Sequence, residues 1–505
     1  MSGSYVMAYD LGSSSVKSIL LDSEAKTIAS TKEEFQLEFL RDGWAETNPL
    51  NWWQKICRVT GILLKQSGIN KKDVGGIIFD SAACGLTPMG DDGQPLRKTI
   101  SWLDSRATEV AEYVMGQYGG RDAFLKETGN VFCGKDTIMK ILWLMQQEND
   151  IYSKTKFFLD DAGYILFMAT GEYVCSVPNA SAISLDYEKR QWDYSFISAL
   201  GLDGEKFPRF VECNDVVGPL TEKAAGDMGL LPGIPVFGGC TDMIGIEVGS
   251  GCTKPGDSYF YLGTSGLIGV ISQSKPRYSA YGVPLASYKP GNISIFATSE
   301  VAGGCIDWAV ETLFKAEKET MGAGVLGYAN EQLRNTEVGA DGLFFTNWLY
   351  GERNPIMDEY ARGTFVNLSI RHSRDHMLRA VYEGVAYQMA WIVEELEREY
   401  DLSMKRLRAS GGGSRSANWM QIMADATGRP VDVVLEPDLV VARGTGCIAL
   451  MGLGLLNLDD VGNIARVSLS YEPDEKNNSF YREGKERYKE IYGSLKNLFG
   501  GLNRK

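Results

Sequence analysis

Two stretches half a chain apart place small and hydroxyl residues where backbone N–H groups could hold a chain of phosphates. In the first, Val6-Met7-Ala8-Tyr9 reads as a strand, Asp10-Leu11-Gly12-Ser13-Ser14-Ser15 as a turn and Val16 to Leu21 as the returning strand. In the second, Ser258 to Leu262, then Gly263-Thr264-Ser265-Gly266, then Leu267 to Ile271 repeat the pattern. Leu11-Gly12-Ser13-Ser14 superimposes on Leu262-Gly263-Thr264-Ser265 without a gap, which points to a duplicated unit. Successive N–H and hydroxyl groups in such turns form concave anion sites. Asp10, at the strand end before the first turn, is where a magnesium ion riding on phosphates would take an oxygen ligand. Tyr261 holds the matching place in the second turn, so the pattern implies one metal-side carboxylate and no symmetric pair. Asp242 closes Gly238-Gly239-Cys240-Thr241-Asp242 after the apolar strand Ile234 to Phe237 and should project from the end of a sheet. Its functional reading is a general base, taking a hydroxyl proton as that oxygen attacks a phosphoryl group. Its structural alternative is a helix N-cap.

Other chemistries are excluded by what is missing. There is no G-x-x-x-x-G-K-[ST] loop and no G-x-G-x-x-G after a strand. The two histidines, His372 and His376, lie beside arginines and offer no setting for a triad or a His-ligated metal. The nine cysteines form no C-x-x-C pair and read as reduced core thiols. With 51 basic and 65 acidic residues the net charge is −14, which argues against nucleic acid and anionic membrane surfaces as partners. No apolar run approaches the ~18 residues of a membrane span. The N-terminus lacks a basic region followed by an apolar stretch, so a cytoplasmic location is expected.

A chain of 505 residues calls for two large domains. The break falls in the Gly- and Pro-containing stretch Gly249 to Gly256, giving residues 1–249 and 250–505. Helical spacing marks Pro49 to Ser67, Asp136 to Gln147, Asp161 to Thr170, Ser373 to Tyr400 and Ala417 to Thr427. A small-residue helix is expected from Gly444 to Gly454 and a charged helical tail from Tyr481 to Leu498. Val74 to Phe79, Leu407 to Ser410 and Val431 to Val434 read as strands.

Taken in order, Asp10 to Lys17, Gly238 to Asp242, Leu262 to Gly266 and Gly411-Gly412-Gly413-Ser414-Arg415-Ser416-Ala417-Asn418-Trp419 resemble the FGGY carbohydrate kinases, most closely their xylulokinase-like branch. Asp42-Gly43-Trp44-Ala45-Glu46, Trp102 to Arg106, Gly351 to Pro355 and Arg379 to Val385 fit the same family, over about residues 5 to 455. The resemblance implies an α/β chain of two actin-like (ribonuclease-H-like) ATPase domains with an interdomain cleft. ATP would be held mainly by the second domain and the sugar mainly by the first. By position Asp242 matches the catalytic base and Asp10 the magnesium-side aspartate. Ser13, Ser14 and Lys17 match the first phosphate loop, and Gly263, Thr264 and Ser265 the second. Gly411, Gly412 and Ser416 fall where the family holds adenosine, with Gly303 on the facing side. A glycine triplet would let a flat purine lie against bare backbone.

The sugar pocket departs from the resemblance. Xylulokinases place Gln-Met-His-Gly after the strand that ends here at Phe79, whereas this chain reads Asp80-Ser81-Ala82-Ala83-Cys84-Gly85. The Arg-Glu pair of glycerol kinases is also absent. Ala82 and Ala83 would form a small floor, Trp102 an aromatic wall, and Lys135 and Asp104 the polar contacts, with Asp242 at the reacting hydroxyl. The expected activity is ATP-dependent phosphorylation of a small sugar or polyol, first a ketose such as a pentulose. A glycerol, tetritol or gluconate-like acceptor is the alternative. A non-kinase actin-fold ATPase would show an added binding or polymerising extension, and a degenerate sensor would have lost Asp10 or Asp242; neither sign is present. A homodimer is compatible with the resemblance.

Overall fold

The computed structural model describes residues 5–41, 43–128 and 131–503, so Asp42 and the opening Met1 to Ser4 lie outside it. Strand β1 (Tyr5–Leu11) pairs antiparallel with β2 (Ser15–Asp22), setting Asp10 opposite Lys17, and β3 (Thr27–Glu34) continues the meander. Val6, Met7, Ala8 and Tyr9 are all fully buried, because helices cover both faces of the sheet and a continuous apolar run is what such a strand needs. Helix α1 (Pro49–Ser67) starts where the Asn48 side chain accepts the Leu50 N–H and stops at left-handed Gly68. It leads to β4 (Val74–Ser81), which returns parallel to β1. β4 runs two residues beyond the predicted end at Phe79, because ladder partners on both sides hold Asp80 and Ser81 in the sheet.

Helices α2 (Thr137–Gln147) and α3 (Asp161–Thr170) follow, then β5 (Val216–Pro219), β6 (Pro235–Phe237), β7 (Cys240–Thr241) and α4 (Asp242–Gly249). The first sheet has the order β5-β6-β4-β1-β2-β3, with β7 also paired to β4. The second half repeats the plan. Its elements are β8 (Ser258–Leu262), β9 (Gly266–Ser272), β10 (Val283–Ala286), β11 (Ile293–Ser299), α5 (Gly303–Leu313), α6 (Arg374–Tyr400), β12 (Leu407–Ser410), α7 (Ala417–Thr427), β13 (Val431–Val434), α8 (Val440–Gly452), β14 (Val467–Tyr471) and α9 (Glu475–Asn503). The sheet order is β10-β11-β9-β8-β12-β13-β14. In both sheets the leading strand has its hairpin partner on one side and a parallel crossover strand on the other, as a duplicated unit requires.

Two helices differ from expectation. α8 begins at Val440, before the glycines, because a short turn from Pro437 delivers Val440 and Val441 to the core. α9 outlasts the predicted 481–498 at both ends, its buried side being only Tyr481, Gly484, Tyr488 and Phe499. His376 is absorbed at the start of α6, where it completes a capping box with Ser373.

α8 comes from the second half of the sequence yet packs on β1, β2 and β4 of the first sheet and crosses α4. The crossing is backbone to backbone: a Cβ on Gly444 would lie 2.0 Å from the Gly245 carbonyl oxygen. Through this contact the second half fixes α4, the helix that begins with Asp242.

Candidate active site

Adjacent strand ends bring three carboxylates together. Asp10 pairs in register with Asp80 on β4, and Asp80 pairs on its other side with Cys240, two residues before Asp242. Asp10 is 4% exposed and Asp80 fully buried. Lys17 reaches Asp10 at 3.4 Å, and its ammonium is held strongly charged, first by Asp10.

Thr241, and not Asp242, caps α4, its side chain accepting the Ile244 N–H. Asp242 is the first residue of the helix, and one of its oxygens accepts the Met243 N–H at 2.8 Å. The capping alternative therefore belongs to its neighbour, and the other oxygen of Asp242 has no protein partner among the described residues. Burial and then the charge of Asp10 push the Asp242 carboxyl up to about 7, with the Met243 N–H and Lys17 acting against them. A base is most effective with a pKa near working pH.

Asp80 was missed as a member of this group. One oxygen accepts the Thr445 hydroxyl of α8 at 2.6 Å and the other has no partner among the described residues. Burial, then the charge of Asp10, raises its carboxyl well above the usual range. A signal was available: an aromatic residue followed by Asp, Tyr9-Asp10 and Phe79-Asp80, closes both strands.

The two turns meet this group from opposite halves. Ser14, Thr264 and Ser265 are exposed, and Ser13 accepts the Trp102 indole N–H at 3.1 Å, so the aromatic wall is fixed to the first turn. Tyr261, beside the second turn, lies within the fields of Lys17, Asp10 and Asp242, which places the second hairpin across from the carboxylates. The N–H groups of Ala302 and Gly304 bind the Thr264 carbonyl, and that of Gly303 binds Gly263. Gly303 thus braces the second turn. A Cβ there would lie 2.4 Å from the Gly263 oxygen. Gly303→Ala is expected to destabilise the protein by about 1–3 kcal/mol and to raise KM for ATP more than KM for the acceptor; thermal melts and initial rates check both.

The glycine triplet divides its duties. Cβ atoms on Gly411 and Gly413 would strike Leu262 at 2.6 and 2.8 Å, whereas Gly412 is exposed and meets nothing closer than 3.7 Å. Of the three, Gly412 alone is exposed with room around its backbone. Ser416 has a structural duty: its hydroxyl accepts the Trp419 N–H to cap α7 and donates its one proton to Asn330, so it has no donor left for adenosine. Asp104 is corrected as a sugar contact. It is fully buried, with both oxygens taken by Arg106 and the Ala45 N–H, and it holds the loop that carries Trp102. Ala82 is tied to the Leu11 carbonyl, which sets the floor residues Ala82 and Ala83 beside the first turn.

Paired hairpins facing a carboxylate group across two duplicated α/β units define a two-domain actin-like kinase. The chain belongs to the FGGY family of carbohydrate kinases, whose N-terminal domain matches residues 5–249 and whose C-terminal domain matches residues 258–453. It is 29% identical to the xylulose kinase of Bacillus subtilis (strain 168), over 98% of each chain. The solved xylulose kinase of Lactobacillus acidophilus superimposes with a TM-score of 0.91 at 23% identity, covering 99% of this chain and 100% of that one. The gluconate kinase of the same organism gives a TM-score of 0.90 at 23% identity, over 99% of each chain. The protein is a carbohydrate kinase that uses ATP to phosphorylate a sugar. Among the described residues no helix is long and apolar enough to cross a membrane.

Proposed function

We propose that Asp242 is the general base of this kinase. It takes the proton of an acceptor hydroxyl as that oxygen forms a bond to the γ-phosphorus of ATP, while the bond from phosphorus to the bridging oxygen breaks and ADP leaves with that electron pair. The observation that carries this reading is the oxygen of Asp242, free because Thr241 does the capping, set among Asp10, Lys17 and the two turns. Ser13, Ser14 and Lys17 from residues 1–249, and Gly263, Thr264 and Ser265 from residues 250–505, hold the phosphates. Gly412 offers the face for the purine.

A magnesium ion fits the donors present. Asp10 carries a carboxylate at the first turn whose side-chain partner is Lys17 alone among the described residues, a hard oxygen donor of the kind that meets an ion carried in on phosphates and water. When bound there it would supply neutralisation of phosphate charge.

The likeness to the Bacillus subtilis xylulose kinase makes a ketose such as xylulose the first acceptor to test, and the likeness to the Lactobacillus acidophilus gluconate kinase adds gluconate. The test is ADP release against ketoses, polyols and aldonic acids. Acceptor-dependent release supports the reading, and slow ATP hydrolysis indifferent to every hydroxyl compound would overturn it.

A further inference from the structure

The second half of the chain is attached to the first along one strand. β10 is an edge of the second sheet, and residues of the first half bind it from outside. The Tyr187 hydroxyl donates to the Pro284 carbonyl at 3.0 Å, and the Ser181 hydroxyl accepts the Ala286 N–H at 3.1 Å. Just past the strand, the Glu247 carboxylate accepts the Ser287 hydroxyl. An edge strand has backbone groups to spare, so this attachment takes no bond from the sheet. Of these first-half residues, Glu247 is the one on α4, five positions after Asp242. At 1.5 Å per residue that is ~7.5 Å along the helix axis.

α4 lies between the two halves. On one side it meets α8 backbone to backbone: beside the Gly444 contact, a Cβ on Gly249 would lie 2.0 Å from the Val440 carbonyl oxygen. On the other side Ile246 packs with Tyr259 and Ile271 of the second sheet. The Tyr259 hydroxyl stands 3.1 Å from the Ser294 hydroxyl and 3.5 Å from the carbonyl oxygen of Met243, the residue after Asp242. Tyr259 thus approaches the start of α4, and Glu247 fastens its far end.

Glu247 is only 1% exposed, and its second carboxylate oxygen has no partner among the described residues. Burial pushes its carboxyl up to about 7, with the Ser287 hydroxyl acting against the rise. Burying a carboxyl group with an oxygen left over costs stability, and an apolar side chain of similar size would cost less. Stability alone does not account for an acid here.

What the bond joins does account for it. β10 pairs with β11, β11 with β9 and β9 with β8, and the second turn connects β8 to β9. One sheet therefore carries both the second turn and the partner of Glu247. We propose that Glu247 is a positioning residue, whose bond to Ser287 aligns the helix that begins with Asp242 against the sheet that carries the second turn. This rests on the reading of Asp242 as general base and adds the contact that sets it across the cleft. Misplacing a reacting group by ~1 Å can cost about 10²-fold in rate.

The experiment measures initial rates on the full-length protein, with the acceptor that the wild type turns over best, beside melting curves. Glu247→Ala, Glu247→Gln and Ser287→Ala are each made alone and together with Asp242→Asn. Glu247→Ala should lower kcat roughly 10- to 100-fold. KM for ATP and for the acceptor should stay within about twofold, because the lost interaction acts on the reacting geometry and not on binding. Glu247→Gln should recover most of the rate, since its amide oxygen can still accept the Ser287 hydroxyl. Ser287→Ala breaks the same bond from the other side with loss of only a hydroxyl, so it carries the test should Glu247→Ala not fold. Its kcat should fall by a similar factor. In the Asp242→Asn background, Glu247→Ala and Ser287→Ala should lower the remaining rate by less than about twofold, because misplacing a base costs nothing once the base is gone. An equal fold loss in both backgrounds, a Glu247→Gln rate no better than that of Glu247→Ala, or full turnover in Ser287→Ala overturns the positioning role and leaves Asp242 as the base. Full turnover in Asp242→Asn itself would overturn the parent reading instead.

Discussion

Asp242→Asn is expected to lower kcat on the best acceptor by about 10²–10⁴-fold, the usual contribution of a positioned base. The amide cannot take the acceptor proton, yet it is nearly isosteric and its oxygen can still accept the Met243 N–H. Thr241 continues to cap α4, so the fold should be retained. KM for ATP should change little, because in the proposed reading the two turns, and not Asp242, hold the phosphates. ADP-release rates beside a melting curve make the measurement, and a variant with full turnover and an unchanged melt would remove Asp242 from the chemistry.

Lys17→Met carries the second large effect. Lys17 is the cation whose field acts on Asp242, Asp80 and Tyr261 together, and it sits at the first turn in reach of Asp10. Removing one charged donor from a transferring phosphoryl group typically costs about 10²–10³-fold in kcat. A further sign distinguishes this from simple loss of a surface charge. Lys17 holds the Asp242 pKa down, so without it the pH at which the base ionises must move upward. Unchanged kcat with an unchanged pH midpoint would reduce Lys17 to a partner of Asp10 alone.

The parts of the site made by local sequence were legible before the fold was seen. Strand, small-residue turn and returning strand are short-range patterns, and both hairpins formed with Asp10 opposite Lys17 and Tyr261 opposite Leu267. What escaped depends on long-range contact. Asp80 reads as the first residue after a strand ending at Phe79, and only the flanking β1 and β7 show that it is held in the ladder beside Asp10. Asp104 and Ser416 carry groups that could touch a ligand, but the Ala45 N–H and Asn330, brought near by folding, occupy them, Asp104 being held by the adjacent Arg106 as well. The glycine triplet was read as one surface, whereas Leu262 accounts for two of its members. α8 belongs by sequence to the second half and by packing to the first sheet, a swap that periodicity does not encode.

The most direct test of the central claim is the pH dependence of kcat/KM for the acceptor in the wild type and Asp242→Asn. Burial and Asp10 raise the Asp242 carboxyl to about 7, and a base works only when ionised. Wild-type kcat/KM should therefore climb about tenfold per pH unit below neutrality and level off above pH ~7. The residual activity of Asp242→Asn should lack that limb. The same limb at the same midpoint in both proteins would contradict the account, because the ionising group would then be some residue other than Asp242.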